Sequence, residues 1–363
     1  MVNAGSSSLK LRVLDGDDGV LASADLSTVD PDDTDHEIMA FLERSPAVDA
    51  AGHRVVHGGA VFREPIVLDD AIDQTLEDLA ALAPLHNPRS LAGITALRAL
   101  RPDLTQVACF DTSFHATLPA KATTYAIPRL WREEWGIRRF GFHGLSHEWA
   151  SRRAAQLLGH HSGPLRLVTA HLGSGASLAA VASGRSLDTT MGFTPMEGLV
   201  MATRSGSVDP GLVLWAQRHG GLSADAVERV LEHESGLLGL SGVTGDLRRV
   251  IDAADAGDRR ARLAYDVYVY RIQTSVSAMT VALGGLDGLV FTGGAGEASP
   301  RLRCDVCLGL EFLGLRIDEV LNRARQKGVH DGIVSVAGSR PSVLVVDARE
   351  DIEIARHVRE LLG

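Results

Sequence analysis

Cysteine is scarce in this chain of 363 residues, which contains three cysteines, an odd number. This count argues against a disulfide scaffold and is typical of a protein from the reducing cytoplasm. Cys304 and Cys307 form a single CxxC within an apolar stretch that we expect to be helical. Without a second such pair, the spacing indicates buried or incidental thiols rather than a zinc site or a redox centre.

Long apolar runs and excess positive charge are also missing. The chain has no run of about 18 apolar residues, and its N-terminus lacks a basic segment followed by an apolar core, so we expect neither a membrane span nor a signal peptide. The formal net charge of −10 argues against a nucleic-acid-binding surface. By contrast, 45% of the residues are hydrophobic, which is enough for two cores and predicts two domains.

The most informative stretch is residues 167–181, LVTAHLGSGASLAAV. Two apolar runs separated by a Gly-Ser turn predict a strand, a turn and a second strand. Gly173 and Gly175 permit positive φ and a close approach of backbone N–H groups, while Ser174 and Ser177 add hydroxyls, so the turn is suited to phosphate oxygens. A plain hairpin is the alternative, because Gly-Ser turns are common between strands.

Two other stretches resemble this one. Residues 2–15, VNAGSSSLKLRVLD, place a polar turn before an alternating strand, and residues 289–297, LVFTGGAGE, are an apolar run that ends in glycines. Two similar hairpins about half a chain apart predict a duplicated domain, with a phosphate loop in each half and the ligands between the halves. Little chain precedes Asn3, so we expect the first strand to be short.

Charged residues follow several predicted strands. Arg54 ends an apolar strand before a glycine turn, where it is either an anion-binding group or a solvated charge. Asp111 comes directly after the buried-type strand 107–110, where it either takes part in chemistry or caps a turn. Glu350 follows the last predicted strand, 343–346, in a similar way.

The long connection at 186–206 carries Arg204 among Gly, Thr and Ser residues, a composition typical of a functional loop. Upstream of it, His143 and His147 have the i, i+4 spacing of zinc ligands. Gly144 and the predicted helix cap Ser146 interrupt a shared helical face, so the pattern disfavours zinc. Apolar periodicity and breaker residues predict helices over 69–83, 90–100, 146–158, 223–234, 244–255, 258–283, 301–310 and 351–362.

Taken together and in order, the motifs of this chain resemble the acetate kinase family over essentially its whole length. The motifs HRVVHGG and GFTPMEGLVM are highly specific, whereas the glycine turns alone are not. The full set is NAGSSSLK, HRVVHGG, PLHNP, FDTSFH, FGFHGLSH, HLGSGAS, GFTPMEGLVMATRSG, FTGGAGE and GLEFLGLRID.

The resemblance implies an α/β fold in which two duplicated ribonuclease-H-like (actin-like ATPase) domains surround a nucleotide cleft. The N-terminal domain would comprise residues 1–148 plus the returning C-terminal helix at 350–363. Residues 149–349 would form the domain for nucleotide binding and dimerisation. The implied reaction is reversible phosphoryl transfer from ATP to acetate, giving acetyl phosphate and ADP, with Mg²⁺ or Mn²⁺, in a cytoplasmic homodimer that uses neither nucleic acid nor membrane.

The resemblance also implies roles for individual residues. The catalytic set would be Arg54, Asp111, His143 and Arg204, and the magnesium ligands Asn3 and Glu350 together with Asp111. Acid binding would involve Arg54, Val56, Leu85, His86, Phe142 and Pro195. Nucleotide binding would involve Lys10, His171, Leu172, Gly173, Ser174, Gly175, Asp246, Leu247, Arg248, Gly293, Gly294, Ala295 and Gly296.

The chemistry of the residues fits that reaction better than sugar phosphorylation. Acetate is already ionised at neutral pH, so no general base is needed, and the difficulty is to bring one anion to another. Two arginines would bind the carboxylate and the transferring phosphoryl group, and His143 would donate to equatorial oxygens of the transition state, an interaction worth about 2–4 kcal/mol.

Three features depart from the family pattern: Ser174 stands where the family has Asn, Ser207 where it has Asp, and the first strand is short. The shorter Ser174 reaches phosphate only through water, which leaves a pyrophosphate-type donor as an alternative to ATP. A kinase for propionate or butyrate is a second alternative, because one methylene shifts preference by only about 1–3 kcal/mol. A non-catalytic, nucleotide-gated binding protein is a third.

Overall fold

The computed structural model describes residues 1–4, 8–27, 34–79, 87–159, 164–325 and 331–363. By their contacts the residues form two units. The first unit comprises residues 1–116, 142–149 and 349–363, and the second comprises residues 117–141 and 150–348.

The first unit contains a mixed sheet with six strands in its described part. The hairpin predicted near the N-terminus is confirmed, because β1 and β2 are antiparallel with Asn3 opposite Lys10. β1 has three residues, as its position near the chain start predicts, and it pairs in parallel with β4. The strands are β1 (Val2–Ala4), β2 (Ser8–Leu14), β3 (Val20–Ser27), β4 (Ala50–Val55), β5 (Ile66–Val67) and β6 (Thr105–Phe110), in the order β3-β2-β1-β4-β6-β5.

The second unit repeats this plan. Over its described residues, three antiparallel strands are followed by two parallel ones and an antiparallel edge strand, so the predicted duplication is confirmed. The hairpin at 167–181 forms as predicted, with His171 opposite Ser177. The strands are β7 (Arg166–Leu172), β8 (Ala176–Ala182), β9 (Arg185–Thr189), β10 (Gly288–Thr292), β11 (Gly332–Ile333) and β12 (Ser342–Val345), in the order β11-β12-β10-β7-β8-β9.

Helices flank the sheets and generally follow the predicted apolar periodicity. The longest, predicted over 258–283, begins after the cap Asp258 and ends at Gly284 in the left-handed conformation. Its stripe of large apolar residues is buried within the second unit. The helices are α1 (Thr34–Glu43), α2 (Asp70–Asp78), α3 (Asn87–Leu100), α4 (Ala120–Thr123), α5 (Arg129–Glu133), α6 (Gly144–Leu157), α7 (Pro210–Gly220), α8 (Ala224–His233), α9 (Gly236–Ser241), α10 (Leu247–Asp255), α11 (Arg259–Leu283), α12 (Gly293–Ala298), α13 (Pro300–Leu308), α14 (Glu319–Ala324) and α15 (Glu350–Leu362).

Three predicted helix starts differ from the structure by two or three residues: α3 begins at Asn87 rather than Ser90, α6 at Gly144 rather than Ser146, and α10 at Leu247 rather than Thr244. α6 begins at Gly144, so Ser146 lies buried in its first turn and does not cap it. The predicted CxxC lies in α13, where Cys307 is buried and Cys304 is partly buried, and both are free thiols. Within the described residues, no helix is long and apolar enough to cross a membrane.

The segment 117–141 makes its contacts in the second unit, whereas the predicted boundary placed it in the first. The reason is visible at Arg139, whose guanidinium donates to the backbone oxygens of Thr190 and Met191. The main-chain N–H of Phe140 also donates to the carbonyl of Gly192 at 3.0 Å. These bonds connect the segment to a loop of the second unit.

The C-terminal helix α15 packs on the sheet of the first unit, as the resemblance implies. Ile354 and Val358 are buried and share a core cluster with Val107, Cys109 and Leu145. The helix therefore completes a core whose strands lie more than 200 residues earlier in the chain.

We expect Gly52→Ala to destabilise the first unit. A Cβ at Gly52 in β4 would lie 2.3 Å from Cγ2 of Ile354 and 2.8 Å from Cγ2 of Val358. Overpacking of this kind costs about 1–3 kcal/mol. Urea denaturation should show the loss, while Gly16→Ala, whose Cβ meets no atom within 4 Å, should leave stability unchanged. Equal stability of the two variants would show that α15 moves away without cost.

A pH effect is expected from His53 in β4, which is buried with its Nε2 atom 2.7 Å from Oε1 of Gln106. Burial lowers the pKa of His53 from 6.5 to about 3. Below pH 6.5 the unfolded chain therefore takes up a proton that the folded protein does not accept until about pH 3.

The His53 contribution to the free energy of unfolding should thus be complete above pH 6.5 and fall by about 1.4 kcal/mol per pH unit below it. Urea denaturation between pH 7 and 4.5 measures this slope. His53→Gln should reduce the slope, whereas the substitution His219→Gln, at an exposed position of α7, should not. Parallel curves for His53→Gln and the parent protein would contradict the assignment.

Candidate active site

Arg54 and Asp111 form the central ion pair of the first unit. Strands β4 and β6 are parallel neighbours in which Val55 lies opposite Phe110, so Arg54 and Asp111 meet at the carboxyl ends of the two strands. Nε of Arg54 donates to Oδ1 of Asp111 at 2.9 Å, and Nη2 donates to Oδ2 at 2.5 Å. The Asp111 side chain is 1% exposed and that of Arg54 is 16% exposed, so this bidentate pair is largely shielded from water.

Asn3 and Glu350 complete this cluster. Nη1 of Arg54 donates to Oδ1 of Asn3 at 3.3 Å, and Nδ2 of Asn3 donates to Oε2 of Glu350 at 3.2 Å. The same Glu350 oxygen lies 3.8 Å from Nε of Arg54. Lys10 faces Asn3 across the hairpin and is exposed. The structure thus brings together four residues that the sequence separates by up to 347 positions.

The electrostatics of the pair follow from its burial. Burial raises the pKa of Asp111, and the Arg54 guanidinium opposes that rise. Burial lowers the pKa of Arg54, but the Asp111 and Glu350 carboxylates outweigh this effect and the net pKa shift is upward. Because both Asp111 oxygens accept N–H groups of Arg54, the arrangement requires an ionised carboxylate beside a permanent cation.

Phe142 and His143 lie in a loop that is fixed beside Asp111. The N–H of Gly144 donates to the Asp111 carbonyl at 2.8 Å, and a Cβ at Gly144 would come within 2.2 Å of that oxygen. His143 has a φ of +57°, a strained left-handed conformation for a residue other than glycine. Nε2 of the buried His115 lies 3.0 Å from the Phe142 carbonyl. The ring centroids of His143 and His147 are 6.5 Å apart.

The structure describes only some of the residues predicted for acid binding. Val56 and Phe142 are buried, whereas Leu85 and His86 lie outside the described residues. Val56 precedes His57, whose N–H donates to Oδ1 of Asn87 while Nδ2 of Asn87 donates back to the His57 carbonyl, at 3.1 and 3.0 Å.

Sequence reasoning missed two supporting residues of this unit, Asn87 and His115. Asn87 is hydrogen-bonded to the backbone of His57, and His115 to the carbonyl of Phe142. The only signal for them was their position inside the motifs PLHNP and FDTSFH.

In the second unit, the predicted phosphate turn lies at residues 173–175. The N–H of Gly173 donates to the Gly175 carbonyl at 2.9 Å. Neither of these two glycines adopts the positive φ that glycine permits, but the backbone does approach closely, because a Cβ at Gly173 would lie 3.3 Å from the Gly175 carbonyl oxygen. A second close approach occurs at Gly293, which has a φ of +78° and whose Cβ would lie 3.0 Å from the backbone of Leu172.

Strand register explains why these two segments are neighbours. Thr292 of β10 lies opposite His171 of β7, so residues 171–175 and 293–296 leave adjacent parallel strands at the same edge of the sheet. Glu297, which sequence reasoning did not assign, accepts hydrogen bonds from the N–H groups of Gly293 and Ala348 at 2.8 and 2.9 Å. Burial raises the pKa of Glu297, while these N–H donors lower it.

Arg204 is also largely buried in the second unit, with a side chain 17% exposed and 3.5 Å from Oε1 of Glu232. Burial lowers the pKa of Arg204, and Glu232 opposes this shift. Nη1 of Arg204 donates to the Pro195 carbonyl at 3.4 Å. The same loop is connected to the phosphate turn, because the N–H of Ala202 donates to the Ser174 carbonyl at 3.0 Å.

Asp246 and Arg248 are paired with each other at the start of α10. The Asp246 carboxylate caps the helix by accepting from the Arg248 N–H, and its Oδ2 lies 3.1 Å from Nη2 of Arg248. The Arg248 side chain lowers the pKa of Asp246. Leu247, which lies between them in the sequence, is buried. Asp246 is partly exposed and Arg248 is exposed, so their polar groups reach the surface.

The oxygens around Arg54 suit a magnesium ion. Carboxylates of Asp111 and Glu350 and the amide oxygen of Asn3 are hard ligands of the type that Mg²⁺ binds. Asn3 is hydrogen-bonded to Glu350 and also to Arg54, the partner of Asp111, so the three ligand side chains lie together. The donor set therefore fits the predicted ion, and the roles of the individual residues stay predictions.

Comparison with known proteins identifies the family. The Acetokinase family profile matches residues 33–356. The acetate kinase of Synechococcus sp. (strain JA-2-3B'a(2-13)) is 46% identical over 323 residues, which cover 89% of this chain and 79% of that protein. The acetate kinase structure from Porphyromonas gingivalis superposes with a TM-score of 0.91 at 37% identity, covering 100% of this chain and 98% of that one. A propionate kinase structure from Francisella tularensis gives a TM-score of 0.89 at 32% identity, covering 98% of this chain and 97% of that one. The chain belongs to the acetokinase family.

Proposed function

We propose that this protein is an acetate kinase, which transfers the γ-phosphoryl group of ATP to acetate by direct in-line displacement. A carboxylate oxygen of acetate forms a bond to the γ-phosphorus while the bond from that phosphorus to the β,γ-bridging oxygen breaks. ADP leaves with that oxygen and its electron pair, and acetyl phosphate is the other product. No proton is transferred, because the nucleophile is already an anion.

The observation that carries this proposal is the buried Arg54 cation and its bidentate partner Asp111. A cation shielded from water attracts an anion more strongly than an exposed one, because the local dielectric constant is low. Asp111 keeps the guanidinium in a fixed orientation before substrate binds, so little reorganisation is needed during the reaction. Arg54 is proposed to bind the acetate carboxylate and Arg204 the transferring phosphoryl group.

The remaining residues keep their predicted roles within the proposal. His143 would donate to an equatorial oxygen of the transition state, and its position is set by the strained backbone that precedes α6. Asn3, Asp111 and Glu350 would hold Mg²⁺, which when bound neutralises negative charge on the phosphates. Val56 and Phe142 would contact the methyl group, and Leu85, His86 and Pro195 would take part in acid binding.

Nucleotide binding is assigned to the adjacent segments of the second unit. His171, Leu172 and the turn 173–175 would bind the β- and γ-phosphates. The 293–296 segment, together with Asp246, Leu247 and Arg248, would hold the adenosine side, and Lys10 would contact phosphate. Support comes from the shared sheet edge at which β7 and β10 end.

A propionate kinase is the second candidate. It is favoured by the similarity to the Francisella tularensis propionate kinase structure at nearly the same TM-score as the acetate kinase. Acetate and propionate differ by one methylene. An apolar pocket discriminates between two substrates that differ in this way by about 1–3 kcal/mol. The order of preference is therefore a matter for measurement with both acids.

Acyl phosphate formation, trapped as hydroxamate, tests the proposal. With ATP and Mg²⁺ we expect product from acetate, less from propionate and less again from butyrate, and none with pyrophosphate replacing ATP. Arg54→Ala and Arg204→Ala should each lower kcat/KM by about 10²–10³-fold, because each removes a cation from the reacting anions.

The matched control is Arg129→Ala, which removes an arginine from an exposed ion pair with Glu133. It should leave the rate unchanged. Because Arg54→Ala leaves Asp111 buried without its partner, thermal unfolding of each variant must accompany the assay. Unchanged rates in folded Arg54→Ala and Arg204→Ala would refute the proposed roles, and product from pyrophosphate alone would refute ATP as the donor.

We further propose a homodimer, as the family resemblance implies. Exposed apolar side chains on α7 support this proposal, since Leu212, Leu214 and Trp215 are about half or more exposed. We expect sedimentation equilibrium to give twice the mass of 38.6 kDa, and the mass of one chain at all concentrations would contradict it. The predicted cytoplasmic location stays a prediction.

A further inference from the structure

The loop that carries Pro195 has almost no secondary structure of its own. Residues 190–206 form neither helix nor strand in the structure. Irregular segments of this length lose much conformational entropy when they are fixed. Within the loop, the Pro195 carbonyl accepts a hydrogen bond from Arg204. Interactions with residues outside the loop are also needed to hold Pro195 in place.

Arg139 and Glu197 provide the first such interaction. Nη1 of Arg139 donates to the carbonyls of Thr190 and Met191 at 3.0 and 2.8 Å. Nη2 donates to Oε1 of Glu197 at 2.7 Å, so one guanidinium joins the two ends of the 190–197 segment. The Arg139 side chain is 16% exposed, which shields these charge-assisted bonds from water.

Tyr125 provides the second interaction. Its hydroxyl donates to Oε2 of Glu197 and accepts from the N–H of Phe193 at 3.0 Å. The Arg139 guanidinium lies 5.4 Å from the centre of the Tyr125 ring. Burial and the Glu197 carboxylate raise the pKa of Tyr125, so its hydroxyl stays protonated as a donor.

Gly192 shows how closely these groups pack. A Cβ there would lie 1.7 Å from Oε2 of Glu197 and 2.2 Å from the Tyr125 hydroxyl oxygen. Its carbonyl also accepts from the N–H groups of Phe140 and Gly141 at 3.0 and 3.3 Å. The loop backbone is thus in direct contact with the three side chains, and a side chain at position 192 would have to displace the Glu197 carboxylate and the Tyr125 hydroxyl.

We propose that Tyr125, Arg139 and Glu197 are positioning residues that fix the 190–197 loop and thereby set the affinity for the carboxylic acid substrate. This inference rests on the proposed function and deepens it. The three side chains act through the loop, because their polar groups bond to its backbone and to one another. We expect loss of one bond to leave the fold intact and to let Pro195 shift.

Steady-state kinetics of Tyr125→Phe and Glu197→Ala test this inference. We expect KM for acetate to rise about tenfold in Tyr125→Phe and more in Glu197→Ala, since small misplacements of binding groups have effects of this size. KM for ATP and the melting temperature of Tyr125→Phe should stay close to the parent values. Glu197→Gln keeps an oxygen acceptor for Tyr125 and should recover part of the loss.

The matched control is Glu133→Gln, which removes a carboxylate from an exposed pair with Arg129 in the same segment of the chain. It should change neither the KM for acetate nor the KM for ATP. A parent protein that forms no acyl phosphate from any acid would refute the proposed function itself. If the parent is active but the acetate KM is unchanged in Tyr125→Phe and in Glu197→Ala, the positioning role alone is refuted. The same holds if Tyr125→Phe unfolds, or if the KM for acetate and the KM for ATP rise equally.

Discussion

The bidentate bond between Arg54 and Asp111 is the interaction on which the first unit's site depends. A guanidinium acts strongly on an anion only where water is largely absent, yet its own desolvation is costly there. Asp111 offsets that cost, and the parallel register of β4 and β6 places the two groups together without distortion. Asn3 and Glu350 reach the same point from the first strand and the last helix.

Loops in each of the two units are fixed in the same physical way. A polar side chain that is buried or partly buried accepts from or donates to the backbone of an irregular segment, as Asn87 does at His57 and Glu297 does at Ala348. Glycine is required where that backbone comes closest to another, at Gly144 and Gly293. Rigid loops therefore arise here from a few polar bonds rather than from an apolar core.

Sequence patterns predicted most of the fold, because strand alternation, turn residues and helical periodicity act locally. The strand pairing at 167–181 and the long helix predicted over 258–283 are examples. Four residues named from the sequence, Asn3, Arg54, Asp111 and Glu350, also lie together in the structure. Local patterns failed where tertiary contacts decide. The start of α6 is set by the bond from Gly144 to the Asp111 carbonyl, and a positive φ is needed at Gly293 rather than at Gly173 because a neighbouring strand approaches there.

The position of α15 has a consequence for synthesis of the protein. This helix supplies Ile354 and Val358 to the core under β4 and β6 and contributes Glu350 to the Arg54 cluster. Ribosomes deliver the chain from its N-terminus, so the strands of the first unit emerge long before the helix that covers them. A nascent chain can therefore complete the second unit while the first still exposes an apolar sheet face, and folding of the first unit waits until α15 has left the ribosome.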